Sequence, residues 1–227
     1  VLLLGLDTAT PAVTVALHDG GQPLAQLVTV DAHRHAELLA PAIAKVIADA
    51  GVERGDLTGV AVGVGPGPYT GLRVGIVTGK VLGAALGIPV YGVCSLDVIA
   101  ADVECDGGDF LVTTDARRRE LYWARYDRTR SRVAGPAVSA PSSIPDRDLV
   151  AAGEGALLYP ALLPNGRGPA YPAAATLCRV VTAALAARAA AKDATAVAAN
   201  EVLLPPEPLY LRRPDAREPG APKRVSR

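Results

Sequence analysis

Four stretches of this chain carry residue types at spacings that chemistry would require. The first is Asp7-Thr8-Ala9-Thr10, a carboxylate at the end of an apolar run followed by hydroxyls. Such a group suits a hydrated divalent cation or a phosphate, and it equally makes an ordinary Asp/Thr turn. The second is His33-x-His35-x-Glu37. Neither three nor four residues separate the two histidines, so one helix face cannot present them together, and a cap or interface role is the expectation. The third is the Gly/Pro-rich run from Gly63 to Gly75, which invites a nucleotide reading. The fourth is Asp115 followed by Arg117, Arg118 and Arg119. Arg125, Arg128, Arg130 and Arg132 with Tyr122, Trp123 and Tyr126 extend it into a basic and aromatic patch. That combination is compatible with RNA, but Asp115, Glu120 and Asp127 dilute its charge and favour a solvated hairpin face.

The nucleotide reading fails on spacing. A dinucleotide fingerprint counted from Gly65 needs a glycine where Thr70 stands. A P-loop ending in Gly79-Lys80 needs a glycine at Val74 and a hydroxyl at Val81. Phosphate cradles also work through backbone N–H groups, and Pro66 and Pro68 have none. The loop therefore reads as a rigid strand-to-helix turn. Ser95 and Ser139 lack the His and Asp setting of a nucleophile. Arg73 in the first turn opposes the helix dipole, which suits an anionic partner, an interface or a solvated side chain.

The elements that would position these residues follow from hydrophobic period. Apolar or alternating runs predict strands over Val1–Leu6, Ala12–His18, Leu24–Val30, Val60–Val64 and Val90–Val93. A helix runs from about Leu38 to Ala50, with Pro41 kinking it or marking its first turn. A second begins near Thr70 as N-cap and stops at Gly87, before Pro89. A short helix covers Leu96–Ala101. The order restarts with strands Phe110–Thr114, Glu120–Tyr126, Arg132–Val138 and Leu149–Ala152, then an Ala-rich helix Leu177–Ala191. Asp7 and Asp19 are separated by the same interval as Asp115 and Asp127. The pattern predicts a duplicated α/β unit in two lobes, with a boundary near Ala101–Gly108. Inside the second helix Gly75, Gly79 and Gly83 recur every fourth residue, at a cost of about 3 kcal/mol in total. They lie beside Leu72, Leu82 and Leu86, with Val74, Val77, Val81 and Ala85 on the other side. The expectation is that the valine side covers the chain's own sheet and the glycine side receives a partner helix.

Composition bounds the rest. The 227 residues include 50% hydrophobic and 20% charged residues with net charge +0, enough for a large core and no general grip on nucleic acid or membrane. Three cysteines without a C-x-x-C pair fit a reducing cytosol. Neither a signal peptide nor a membrane span is expected, since Asp7 follows the first apolar run and Lys80 and Pro89 interrupt the longest one.

Several segments in this order resemble the TsaB (YeaZ) family. They are Asp7–Thr10, His35-Ala-Glu-Leu-Leu-Ala-Pro41, Gly65-Pro-Gly-Pro-Tyr-Thr-Gly-Leu-Arg-Val-Gly75 and Lys80. Asp115-Ala-Arg-Arg-Arg-Glu-Leu-Tyr122, Ala152-Gly-Glu-Gly-Ala156 and Pro208-Leu-Tyr-Leu-Arg212 complete them. The resemblance implies an α/β fold of the actin-like type, two duplicated RNase H-like lobes over residues 1–101 and 102–213. The Pro-, Gly- and charge-rich tail 214–227 is expected to be disordered.

The resemblance also implies a function. It is that of a cytoplasmic, non-catalytic subunit in tRNA threonylcarbamoyladenosine formation, partner of the paralogous transferase TsaD and of the ATPase TsaE. This chain alone binds no cofactor, and ATP/Mg and a metal sit on the partners. tRNA is met through the complex, and a homodimer is available to the isolated chain. The implied interface comprises His35, Glu37, Leu38 and Pro41 on one helix. On the next it comprises Thr70, Gly71, Leu72, Arg73, Gly75, Gly79, Lys80, Leu82, Gly83 and Leu86. Asp7, Thr8, Thr10, Asp115, Gly153 and Gly155 are candidates for a vestigial phosphate or nucleotide site, with no catalytic or metal residue. Kinases of this fold carry glycine near Ala9 and Arg117, so triphosphate binding is not expected. The alternatives are a small-molecule kinase or ATPase of the same fold, motivated by Asp7 and Asp115 at matching strand ends, and a metallopeptidase.

Overall fold

The computed structural model describes residues 1–104, 107–190 and 202–212. Two five-stranded sheets form the frame. The first takes β1 (Leu3–Asp7), β2 (Ala12–His18), β3 (Pro23–Val30), β4 (Gly59–Gly63) and β5 (Val90–Val93), in the order β3-β2-β1-β4-β5. The second takes β6 (Phe110–Asp115), β7 (Leu121–Tyr126), β8 (Arg132–Ser139), β9 (Val150–Ala152) and β10 (Gly166–Arg167), in the order β10-β9-β6-β7-β8. Read from its hairpin edge, each sheet has the same 3-2-1-4-5 order, antiparallel across its first three strands and parallel thereafter. This is the RNase H-like lobe repeated, and the pair makes the actin-like fold. The matched aspartates have a simple origin: Asp7 and Asp115 each end the first strand of a sheet.

Helices α1 (His35–Ala50) and α2 (Tyr69–Leu86) cover one face of the first sheet. Leu39, Ile43, Val46 and Ile47 of α1 meet Leu4, Leu6, Val13 and Val15 in its core. Both helices end where glycine permits a left-handed residue, Gly51 at φ 66° and Gly87 at φ 67°. Pro41 lies inside α1 on its exposed side, in the second turn rather than the first.

Two short elements went unread in the sequence, α4 (Glu154–Leu158) and the two-residue β10. The two sheets lie on either side of residue 101 in the chain, and two helices cross between them. Helix α3 (Ser95–Ala101) contributes Leu96, Ile99 and Ala100 to a core with Phe110, Val112 and Tyr126 of the second sheet. Helix α5 (Ala174–Ala190) returns to the first sheet, packing Leu177, Cys178 and Val181 against Leu3 and Ala61. A Cβ at Gly5 would meet Cys178 Sγ at 2.7 Å, so the glycine admits α5 to β1. Each lobe is thus closed by a helix that sequence order assigns to the other. Positions 214–227 lie outside the described residues, as do residue 191 and Cys105.

Candidate functional site

The turn between β1 and β2 lies at the first-lobe side of a cleft, and the turn between β6 and β7 faces it. Thr8, Thr10, His33, His35, Thr70, Gly71 and Arg117 line about 220 Å³ of space there. Asp7 is not among them. It is fully buried, and its carboxylate is already satisfied on both oxygens. The Ala9 N–H donates to Oδ1 at 2.8 Å and the Ser95 hydroxyl donates to Oδ2 at 2.6 Å. Burial pushes its pKa up to about 6, against the lowering effect of those two donors.

Thr8 is committed to α2. Its hydroxyl donates to Gly71 O at 2.7 Å and accepts from Gly75 N–H at 3.0 Å, bridging one step of the helix ladder. A Cβ at residue 71 would overlap Thr8 O, and one at residue 75 would overlap Thr8 Oγ1. The two glycines therefore seat the β1–β2 turn against the helix. Thr10 accepts from Ala12 N–H through its hydroxyl, and its carbonyl lies 2.8 Å from Nε2 of the buried His35. His35 thus ties α1 to the same turn.

On the second lobe, Asp115 accepts from the Arg117 N–H at 2.8 Å and pairs with the Arg117 guanidinium at 3.4 Å. Glu154, which the sequence reading passed over between its two glycines, is buried beside it. Burial pushes the Glu154 carboxyl up to about 7, against the hydrogen bond it accepts from the Asp115 N–H, with the Asp115 charge adding to the rise and Arg117 and Tyr171 acting the other way. Gly153 and Gly155 fit the sheet closely: a Cβ on either would run into Thr113.

The vestigial phosphate candidates are therefore split. Thr8 and Thr10 line the cleft, although the Thr8 hydroxyl is spent on α2, while Asp7 is turned into its own lobe; Arg117, outside that set, joins the lining from the second lobe. Asp7 directs neither carboxylate oxygen at the cleft. Among the described residues, no three His, Cys, Asp or Glu side chains are grouped as metal ligands.

The second candidate is the outer face of α1 and α2, and here the expected orientation is reversed. The glycine stripe faces inward: a Cβ at Gly79 would overlap Val62, and one at Gly83 would overlap Val90. Leu72 is fully buried. Helix α2 begins two residues earlier than expected, with Pro68 in the N-cap position, so Thr70 is an exposed helical residue and not the cap. Of the expected interface residues, Glu37, Pro41, Thr70, Arg73 and Lys80 are exposed, while Leu38, Leu82 and Leu86 are half-buried. Val77 and Val81, assigned to the sheet side, are 55% and 61% exposed. Beside them Ala40, Ile43, Ala44, Thr78, Leu82 and Leu86 line a groove of about 220 Å³ between the two helices. The valines are one turn apart on an α2 stripe that is apolar where solvent would favour charge.

Comparison with known proteins places these features in a family. The family model described as TsaD, tRNA N6-adenosine threonylcarbamoyltransferase, matches residues 29–219. An uncharacterized protein of Mycobacterium tuberculosis is 46% identical over 224 residues, covering 95% of this chain and 93% of that protein. The tRNA threonylcarbamoyladenosine biosynthesis protein TsaB of Escherichia coli is 33% identical over 134 residues, 56% of this chain and 55% of that protein. Among solved structures, YeaZ from Pseudomonas aeruginosa is 30% identical with a TM-score of 0.71, over 83% of this chain and 95% of that one. Across a duplicated fold with a Gly/Pro turn leading into a glycine-seated helix, that likeness covers most of both molecules, and the chain belongs to the TsaB/YeaZ family.

Proposed function

We propose that this chain takes part in forming threonylcarbamoyladenosine on tRNA as a subunit that performs no transfer itself. It docks a TsaD-like paralogue through the outer faces of α1 and α2. The observation that carries this reading is the exposed Val77–Val81 stripe beside the α1–α2 groove. Burying two valines and the groove lining would be favourable by about 25 cal/mol per Å² of apolar surface. Arg73 and Lys80, exposed on the same helix, would flank the contact and select an acidic rim on the partner. The internal commitment of Asp7 and Thr8 supports the non-catalytic part. ATP with Mg²⁺ and a metal belong to the partner subunits in this reading. A TsaE-like ATPase and tRNA are met through the complex, in the cytoplasm, and the same face pairs two copies when no partner is present.

Depletion of the protein followed by nucleoside analysis of bulk tRNA tests the pathway: threonylcarbamoyladenosine falls if the reading holds. The interface is tested by co-purification with the TsaD-like paralogue. The Val77→Glu/Val81→Glu double variant is expected to stay folded and to lose the partner. Retention of the partner by that variant overturns the docking surface.

A further inference from the structure

The last described segment, residues 202–212, runs back across the first lobe and reaches the second. Leu204 forms an antiparallel bridge with Gly92, and the Leu209 N–H donates to Val64 O at 2.8 Å. The segment then meets the first turn of α2. The Arg73 guanidinium stands 5.8 Å from the Tyr69 ring and 5.9 Å from the Tyr210 ring, and its Nε donates to the Tyr210 hydroxyl at 3.0 Å. The two rings are themselves 4.7 Å apart. The Tyr69 hydroxyl donates to the Arg212 carbonyl. From there the Arg212 side chain crosses to the β6–β7 turn, where Nη1 donates to Ala116 O at 2.9 Å and the guanidinium pairs with Glu120. Ala116 and Glu120 close that turn through the Ala116 N–H to Glu120 O bond at 2.9 Å.

We propose that residues 202–212 are a strap that couples the first turn of α2 to the arginine-bearing turn of the second lobe. The chain of contacts is continuous from Arg73 and Tyr69, through Tyr210 and Arg212, to Ala116 and Glu120. Its polar links are directional, three of them involve a charged guanidinium, and they join elements distant in sequence. The strap therefore holds the two walls of the cleft at one separation, and Arg117 at its mouth. If α2 is the docking helix, as proposed above, a partner seated on it sets the position of Arg117 through this strap. That consequence rests on the docking reading, while the strap itself does not.

Hydrogen–deuterium exchange on the full chain without any partner tests it. Arg212→Ala is expected to speed exchange at residues 69–75 and at 116–122, on both lobes, by roughly fivefold or more. Acceleration confined to 202–212, with both other segments at the parent rate, overturns the proposal. If Arg212→Ala does not fold, Tyr69→Phe removes a single hydroxyl from the same chain of contacts. Faster exchange at 116–122, across the cleft from the substitution, supports the strap; an unchanged rate there overturns it. Failure of the valine variant to lose a partner bears on docking alone.

Discussion

Gly79 of α2 lies directly over Val62 of β4, so close that a Cβ on residue 79 would overlap the valine methyl. Gly83 stands in the same relation to Val90. The helix comes nearer to the sheet than any side chain would allow, and valines from β4 and β5 occupy the space the glycines leave. Gly79→Ala gains about 1 kcal/mol of helix propensity and loses about 1–3 kcal/mol to overpacking. The expected net effect is a loss of up to about 2 kcal/mol in urea unfolding, and Gly79→Leu should not yield folded protein at all. An alanine variant as stable as the parent would show that β4 yields.

This relationship also marks where sequence reading stops. The period of Gly75, Gly79 and Gly83 was plain, and so were the bounds of α2 to within two residues. Which way the stripe faced was not, because a row of small residues meets the demand of a close sheet and of a close partner helix equally well. The side chains that decide it, Val60, Val62 and Val90, lie on other strands, and the helix sequence contains no trace of them. Asp7 was legible as a strand-end carboxylate for the same local reason. That Ser95 reaches it from 88 positions away was not. The lobe count followed from repeated strand patterns, whereas the exchange of α3 and α5 between lobes depends on long-range packing that no periodicity encodes.

Three consecutive arginines, Arg117, Arg118 and Arg119, sit at φ of 60°, 56° and 59°. An L-residue in the left-handed region costs about 1–2 kcal/mol, and glycine there costs little. Glycine also adds freedom to the unfolded chain, worth about 0.4–1 kcal/mol in the other direction. Arg119→Gly is therefore expected to raise stability by about 0.5–1 kcal/mol, read from the shift in the denaturation midpoint at unchanged slope. A loss of stability would mean that the side chain itself holds the turn.

Gly153 has φ of 95°, and a Cβ there would overlap Thr113 O. Left-handed strain and overlap with a backbone atom add, so Gly153→Ala should cost about 3 kcal/mol. Gly55, with open space around its Cβ position and no left-handed φ, supplies the control. Gly55→Ala is expected to be neutral or mildly stabilising. Equal behaviour of the two variants in thermal unfolding would remove the packing explanation for Gly153.

The buried Asp7 carboxyl makes a prediction about pH. Its pKa stands at about 6, above the ordinary aspartate value of 3.8, so between those values the folded chain holds a proton that the unfolded chain releases. Stability contributed by this group is full below the unfolded value and declines as pH rises through 6, by on the order of 3 kcal/mol. Asp19, Asp31 and Asp127 act at the opposite end. Hydrogen bonds hold their carboxyls below the usual range, so their contribution is lost as pH falls through that range. Urea unfolding should therefore show a stability maximum in the acidic range and a decline toward neutrality. Asp7→Asn cannot ionise. Its amide keeps the Ala9 bond and leaves the Ser95 hydroxyl without its present acceptor, at a cost of about 1 kcal/mol that does not vary with pH. The variant should be less stable than the parent near pH 4 and more stable near pH 8, the two curves crossing in between. Parallel curves over that range would show that the Asp7 carboxyl titrates at its ordinary value despite its burial.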